Sequence, residues 1–156
     1  MVTGFLAITP RPAERARRGK GRHMFNSATY IEYKKSLERA IIELKLTPDD
    51  YVHLEATFFV PYAATIKAKT NGELHRSKPD CDNYMKALKD SLSTCKVLAR
   101  EIGKGKAKKI SHDDSMIASE NGVKMKINDT IGGIYFSLMR EEEFFAAYGN
   151  PAERYF

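Results

Sequence analysis

The sequence predicts an α/β (α+β) fold in one domain, residues 1–156, with a small sheet flanked by helices. Three observations carry this. Val52, Leu54, Ala56, Phe58 and Val60 alternate with His53, Glu55, Thr57 and Phe59, the two-residue period of a strand with one strongly apolar face. Met85, Leu88, Leu92, Cys95 and Ala99 recur at steps of three and four, the stripe of an amphipathic helix. The 156 residues, 42% hydrophobic and 29% charged, suffice for one real core and have the composition of an ordinary globular chain.

Taken in order, Phe5–Thr9 reads as a short first strand that ends at Pro10. Residues 11–23 are rich in Pro, Gly and Arg without apolar periodicity, so they read as a mobile loop. Gly19 and Gly21 beside Lys20 and Arg22 leave its backbone free to settle along DNA; the plain alternative is a solubilising loop. Asn26 or Ser27 caps a helix that runs to about Leu46, with Tyr30, Tyr33, Leu37, Ile41 and Leu44 along one stripe. Those tyrosines read as core or subunit contact. Thr47-Pro48-Asp49-Asp50 closes the helix, and its acid pair reads as loop because no lysine or third acid is near.

Pro61 stops the alternating strand, within which His53 reads as a surface or edge residue and Glu55 as a weak candidate for an extra acid. Residues 62–78 carry Lys67, Lys69, His75, Arg76 and Lys78, a basic loop leading to Asp80. The central helix follows. Ser115–Ser119 and Val123–Ile127 flank Asn121-Gly122, the dipeptide that favours a tight hairpin turn. In that hairpin Val123, Met125 and Ile127 face inward, while Lys124 and Lys126 add a positive stripe outside. Gly132-Gly133 introduces a last strand, Ile134–Met139, and Glu141–Tyr148 forms a short helix whose aromatics pack on the domain or on a partner subunit.

Charge narrows the function. The net charge of +6 and a pI near 9.3 favour an acidic partner. Residues 11–22 hold six Arg or Lys against one Glu, and residues 96–109 hold another six against one Glu. The two patches bracket an acidic cluster, as a nuclease requires: cations hold phosphates while metal ions are placed at one of them. Arg11, Arg15, Arg17, Arg18, Lys20, Arg22, Arg76 and Lys78 are the candidate DNA-binding residues. Phe5-Leu6-Ala7-Ile8 is too short for a signal-peptide core and lacks preceding basic residues, so the expectation is a cytoplasmic protein with no membrane contact. Cys81 and Cys95 have no metal-type spacing and are assigned to packing.

The chemistry concentrates in Ser77-Lys78-Pro79-Asp80-Cys81-Asp82-Asn83-Tyr84-Met85-Lys86. Pro79 favours an extended backbone before it, and in an extended segment residues two apart point the same way, so Asp80 and Asp82 present both carboxylates to one side. Asp82 or Asn83 is the expected N-cap. Lys86 and Asp90 continue from Asp82 at steps of four, away from the apolar stripe. A second acid pair, Asp113-Asp114, precedes Ser115. If it folds back beside the first, each carboxylate pair at about 4 Å repels by roughly 4 kcal/mol at an effective dielectric near 20. An all-oxygen cluster is what Mg²⁺ or Mn²⁺ prefers. The plain alternative is that the first pair caps a helix and the second sits in a turn.

Asp80, Asp82, Asn83 and Lys86, followed by a helix and then Asp113, Asp114 and Ser115 before an apolar strand, resemble the motifs of the RusA family of Holliday junction resolvases. The Pro- and Arg-rich run from Ile8 to Arg17 is similar to the segment that opens many members. Two departures stand out: the 30 residues between Asp82 and Asp113 exceed the usual spacing, the surplus being Arg100–Lys109, and His112 replaces an apolar or aromatic residue. The resemblance implies a small mixed sheet flanked by helices and a homodimer. Each subunit then nicks one strand of a four-way DNA junction, with Mg²⁺ (or Mn²⁺) as cofactor, in recombination and repair, leaving religatable 5′-phosphate ends. Many relatives are carried by phages or prophages. For phosphodiester hydrolysis the expected metal ligands are Asp80, Asp82 and Asp114, with Asp113 as a fourth acid and Lys86 on the scissile phosphate. Lys86 has a plainer role as an i,i+4 salt bridge, worth a few tenths of a kcal/mol. Two other readings stay open: a nuclease for flaps or forks, and a non-catalytic nucleic-acid-binding protein. The lysine-rich insert could also turn the preference toward RNA.

Overall fold

The computed structural model describes residues 1–15, 17–18, 24–62, 72–76, 78–150 and 152. The expectations for Gly19, Lys20, Gly21, Arg22, Lys67, Lys69 and Ser77 lie outside the described residues. The elements in chain order are β1 (Val2–Leu6), β2 (Arg17–Arg18), β3 (Met24–Phe25), α1 (Ala28–Glu43), β4 (Tyr51–Pro61), β5 (Glu73–Leu74), α2 (Cys81–Thr94), β6 (Arg100–Ile102), β7 (Lys109–Ser111), β8 (Ser119–Ile127), β9 (Gly133–Arg140) and α3 (Glu141–Tyr148). Short 3-10 turns at Gly105–Ala107 and Asp114–Met116 complete them.

Five strands form one mixed sheet in the order β1-β9-β4-β8-β5. All neighbours are antiparallel except β4 and β8, which run parallel. A parallel pair needs a crossover, and α2 lies within that connection. α1 and α2 pack on each other and close the core, in which Leu37, Ile41, Leu54, Phe58, Leu88, Leu92, Phe136 and Leu138 are buried. Each fully buried leucine of this set stabilises the fold by about 2 kcal/mol.

The sequence periods mark α1, α2, β4, β9 and α3, with shifts that have physical causes. β1 is Val2–Leu6 rather than Phe5–Thr9 because its partner β9 pairs Leu6 with Ile134 and then ends; Thr9 instead accepts the Gly132 N–H on its hydroxyl at 2.9 Å. Ser27 caps α1, its hydroxyl accepting the Tyr30 N–H at 3.1 Å. The N-cap of α2 is Asp80, not Asp82 or Asn83. Cys95 and Ala99 fall beyond α2, whose end is marked by Lys96 at φ 59. The basic stretch before Asp113 folds as a two-stranded arm, β6 paired antiparallel with β7.

Three expectations are overturned. No hairpin turns at Asn121-Gly122, because both residues lie inside the nine-residue strand β8, paired with Glu55 and Ala56 of β4. A Cβ at Gly122 would sit 2.8 Å from Cys81 Sγ and 3.0 Å from Met85 Cγ. The glycine therefore serves close approach of α2 to the sheet, not a turn. The same register reverses the faces of β8: Gly122 and Lys124 lie toward α2, where Lys124 donates to Pro79 O and lies 5.9 Å from the Tyr84 ring. His53 is not a surface residue either. It is 3% exposed, with the rings of Phe144 and Tyr148 from α3 at 4.8 and 5.5 Å.

Candidate active site

The N-terminal segment from Arg11 to Arg15 is fastened as a strap across the mouths of two helices. The Ala13 N–H donates to Asn83 O in the first turn of α2 at 2.8 Å. The Glu14 carboxylate accepts from the Ser27 hydroxyl at 2.8 Å and from its N–H at 3.1 Å. Main-chain N–H groups of Arg11 and Glu14 meet the hydroxyls of Tyr33 and Tyr30 on α1. Burial dominates the Tyr33 phenol all the same and pushes its pKa up to about 12, so it stays neutral.

The strap forms one wall of an open cleft of about 550 Å³ lined by Pro12, Ala13, Arg15, Lys78, Pro79, Asp80 and Asn83. Asp80 caps α2 with its backbone at φ −68, ψ 154 while its side chain makes no capping hydrogen bond. The carboxylate is thus left for other work. Arg15 from the strap and Lys78 from the preceding loop bring two cations to the same cleft. Asp82 is exposed in the first turn of α2, and Lys86 is exposed one turn later. Arg76 is exposed just upstream. Arg11 is exposed on the strap, and Arg17 and Arg18 pair their backbones with Phe25 and Met24.

The second acid pair lies against α2 farther along. The Ser93 hydroxyl donates to His112 O, and His112 Nδ1 bonds Leu98 O at 2.7 Å, which fixes the approach of the 3-10 turn. Asp113 opens that turn and accepts the Ser115 N–H at 2.8 Å. The hydroxyl and N–H of Ser115 hold its carboxyl below the usual range. Asp114 is half-buried and lies near Asp90, whose pKa is raised by burial in the first place, with Asp114 adding to the rise against Lys34, Lys86 and Lys89. Asp90 is two helical turns from Asp82, about 12 Å along the axis.

Asp80 and Asp82 thus lie at the mouth of α2, whereas Asp114 lies near Asp90 farther along the helix. Among the described residues no three His, Cys, Asp or Glu side chains form a group able to hold an ion. Like-charge repulsion of roughly 4 kcal/mol per close pair makes separation the lower-energy arrangement for the chain alone. The donor chemistry of Asp80, Asp82, Asp113 and Asp114, all oxygen and with Asp80 uncommitted to its helix, still fits a hard divalent ion such as Mg²⁺ or Mn²⁺. Sequence reasoning did not select Asp90 or Lys34. The step of four from Lys86 was the visible signal for Asp90, whereas Lys34 reaches it from α1 through tertiary packing. Glu55 belongs to another surface, held by the Tyr148 hydroxyl and by Ser137 at 3.4 Å. Asp49 and Asp50 pair with Arg140 at 3.9 Å and Arg100 at 2.8 Å, as structural acids do.

The α+β fold carries at the mouth of α2 a cleft that sets the cations Arg15 and Lys78 beside the carboxylate of Asp80. Residues 7–101 match the family model described as Endodeoxyribonuclease RusA, and the chain belongs to the RusA family. The match includes the strap, α1, β4 and the whole of α2 with Asp80, Asp82, Asn83, Lys86 and Asp90. It ends within β6, short of Asp113 and Asp114. No curated protein matches the chain. Among the described residues no helix is long and apolar enough to cross a membrane.

Proposed function

We propose that this protein is a divalent-metal-dependent endonuclease that nicks four-way DNA junctions symmetrically as a homodimer, leaving 5′-phosphate ends. The observation that carries the reading is the cleft at the mouth of α2, where an uncapped Asp80 carboxylate and Asn83 share a wall with Arg15 and Lys78. Family membership supports the nuclease part.

Asp80, Asp82 and Asp114 are the ligands assigned to Mg²⁺ (or Mn²⁺), with Asp113 as a fourth acid that ligates or orients water. When bound, such an ion neutralises charge at the phosphorus and makes a coordinated water more acidic. Lys86 holds the scissile phosphate and offsets charge developing on its oxygens. Arg11, Arg15, Arg17, Arg18, Lys20, Arg22, Arg76 and Lys78 are assigned to flanking phosphates, which position the strand without reading its sequence. A two-fold dimer suits a two-fold substrate, one acidic site per cut strand.

The spacing of the acids along α2 favours one rival, a binding protein whose acids are structural. The test is strand cleavage of a synthetic four-way junction beside a flap, a fork and a linear duplex, with and without Mg²⁺. Paired symmetric nicks in the junction alone, dependent on Mg²⁺, support the proposal. Cleavage of flaps or forks instead moves the substrate, and tight binding with no cleavage in Mg²⁺ or Mn²⁺ leaves the rival.

A further inference from the structure

The β6–β7 arm is the part of the molecule that the cleft does not use. It begins where the family match ends, and it carries Lys104, Lys106, Lys108 and Lys109 on six successive residues. A solvated charge run needs no fixed shape, but this one has a built tip and an anchored base. At the tip Gly103 and Gly105 take φ of +94 and +56, and a Cβ on Gly103 would lie 2.4 Å from Ala107 O. Only glycine allows that turn, because a left-handed backbone strains other residues and the space is filled. At the base Arg100 bonds Asp50 at 2.8 Å, the Asp49–Leu98 bridge joins the chain entering the arm to the segment before β4, and Ser93 and Leu98 hold His112. Lys104, Lys108 and Lys109 are exposed. Lys108 pairs with Glu101, whereas Lys104 and Lys109 make no ion pair among the described residues.

We infer that this arm is a second phosphate-contacting surface, which grips a duplex arm of the DNA substrate beside the point of cleavage. The partner follows from the chemistry: unpaired, strongly hydrated ammonium groups on a short rigid projection suit a regular array of phosphates and carry no means of reading bases. The reach is also suitable. Lys109 precedes Asp113 by four residues, at most about 14 Å of extended chain, or about four steps along a strand that rises 3.4 Å per phosphate. Lys109 would thus bind the duplex within half a turn of the acids, with Lys104 at the tip of the arm free to reach farther along it. The inference rests on the nuclease reading of the acidic cleft, which it extends to a separate surface.

The experiment is the salt dependence of junction binding, measured with Ca²⁺ in place of Mg²⁺ to keep the DNA intact, for the unaltered protein and for Lys104→Ala/Lys109→Ala. Two lost phosphate contacts lower the steepness of log K against log[salt] by about 1.8. Weaker binding accompanies that change, while the nicking rate at saturating DNA in Mg²⁺ stays within twofold. A Lys35→Ala/Arg39→Ala variant on α1, with the same charge loss, keeps the original slope. An unchanged slope in a Lys104/Lys109 variant, with the unaltered protein binding and nicking normally, overturns the inference alone. A slope change seen with an RNA hairpin but not with the junction overturns it too. If the unaltered protein neither binds nor nicks DNA, the nuclease reading fails and the inference falls with it. Both substitutions are on exposed side chains, and unchanged circular dichroism excludes misfolding as the cause.

Discussion

A methyl group at position 122 would press on Cys81 and Met85, the residues by which α2 lies against β8. Gly122→Ala is therefore expected to destabilise the protein by about 1–3 kcal/mol in urea unfolding, and removing the obstructing thiol with Cys81→Ala in the same chain recovers part of the loss. The Asn-Gly pair illustrates how a local signal misleads. The dipeptide has the chemistry of a turn, but the glycine is required by a tertiary neighbour that nothing in the local pattern reveals. His53 was misjudged for the same reason, since α3, which covers it, is more than eighty residues away. His75 gives a pH prediction. Burial first, then Lys126 and Lys124, hold its imidazole below the ordinary 6.5. The neutral form is thus favoured in the folded state. Its contribution is complete above pH 6.5 and is lost as pH falls from there toward the lower folded value. The urea midpoint should drop between pH 7 and pH 5, and His75→Gln should flatten that drop.

Among the elements, the helices were legible because their stripes are long, and their N-caps were legible to within three residues. Ser27 is one of the two caps the sequence offers, and its hydroxyl serves both the Tyr30 N–H and Glu14. Ser27→Ala should cost about 1 kcal/mol in thermal or urea unfolding. It should also weaken junction binding several-fold, because the strap that lines the cleft loses its hold on α1. The N-cap of α2 lies two or three residues before the expected Asp82 or Asn83, and the difference matters chemically: Asp80 begins the helix by its backbone and keeps its carboxylate for the cleft. The parallel pairing of β4 with β8 was not legible, since parallel register depends on a crossover and not on the strand's own residues. The approach of Asp114 to Asp90 depends on the same crossover and on the Ser93–His112 contact. Lys86 stands between these acids on the helix, and Lys86→Met should slow junction nicking about 100-fold, the cost of one lost charge-stabilising donor, with junction affinity little changed.

For the whole molecule, a small sheet flanked by helices and the family were legible, the last from one ten-residue motif and one acid pair, but the order and direction of the strands were not. The charge pattern was legible as pattern only: three basic stretches could be counted, but the fastening of Arg11–Arg15 as a strap and of Arg100–Ser111 as a two-stranded arm required the fold. In the proposed function the acids along α2 do chemistry on DNA. Single-turnover nicking of a synthetic four-way junction by Asp80→Asn, with junction affinity measured on the same samples in Mg²⁺, tests it most directly. The expected rate is at least about 1000-fold below that of the unaltered protein, the loss of several kcal/mol of metal-dependent stabilisation, at an affinity within a few-fold. Nicking at the original rate by Asp80→Asn would contradict it.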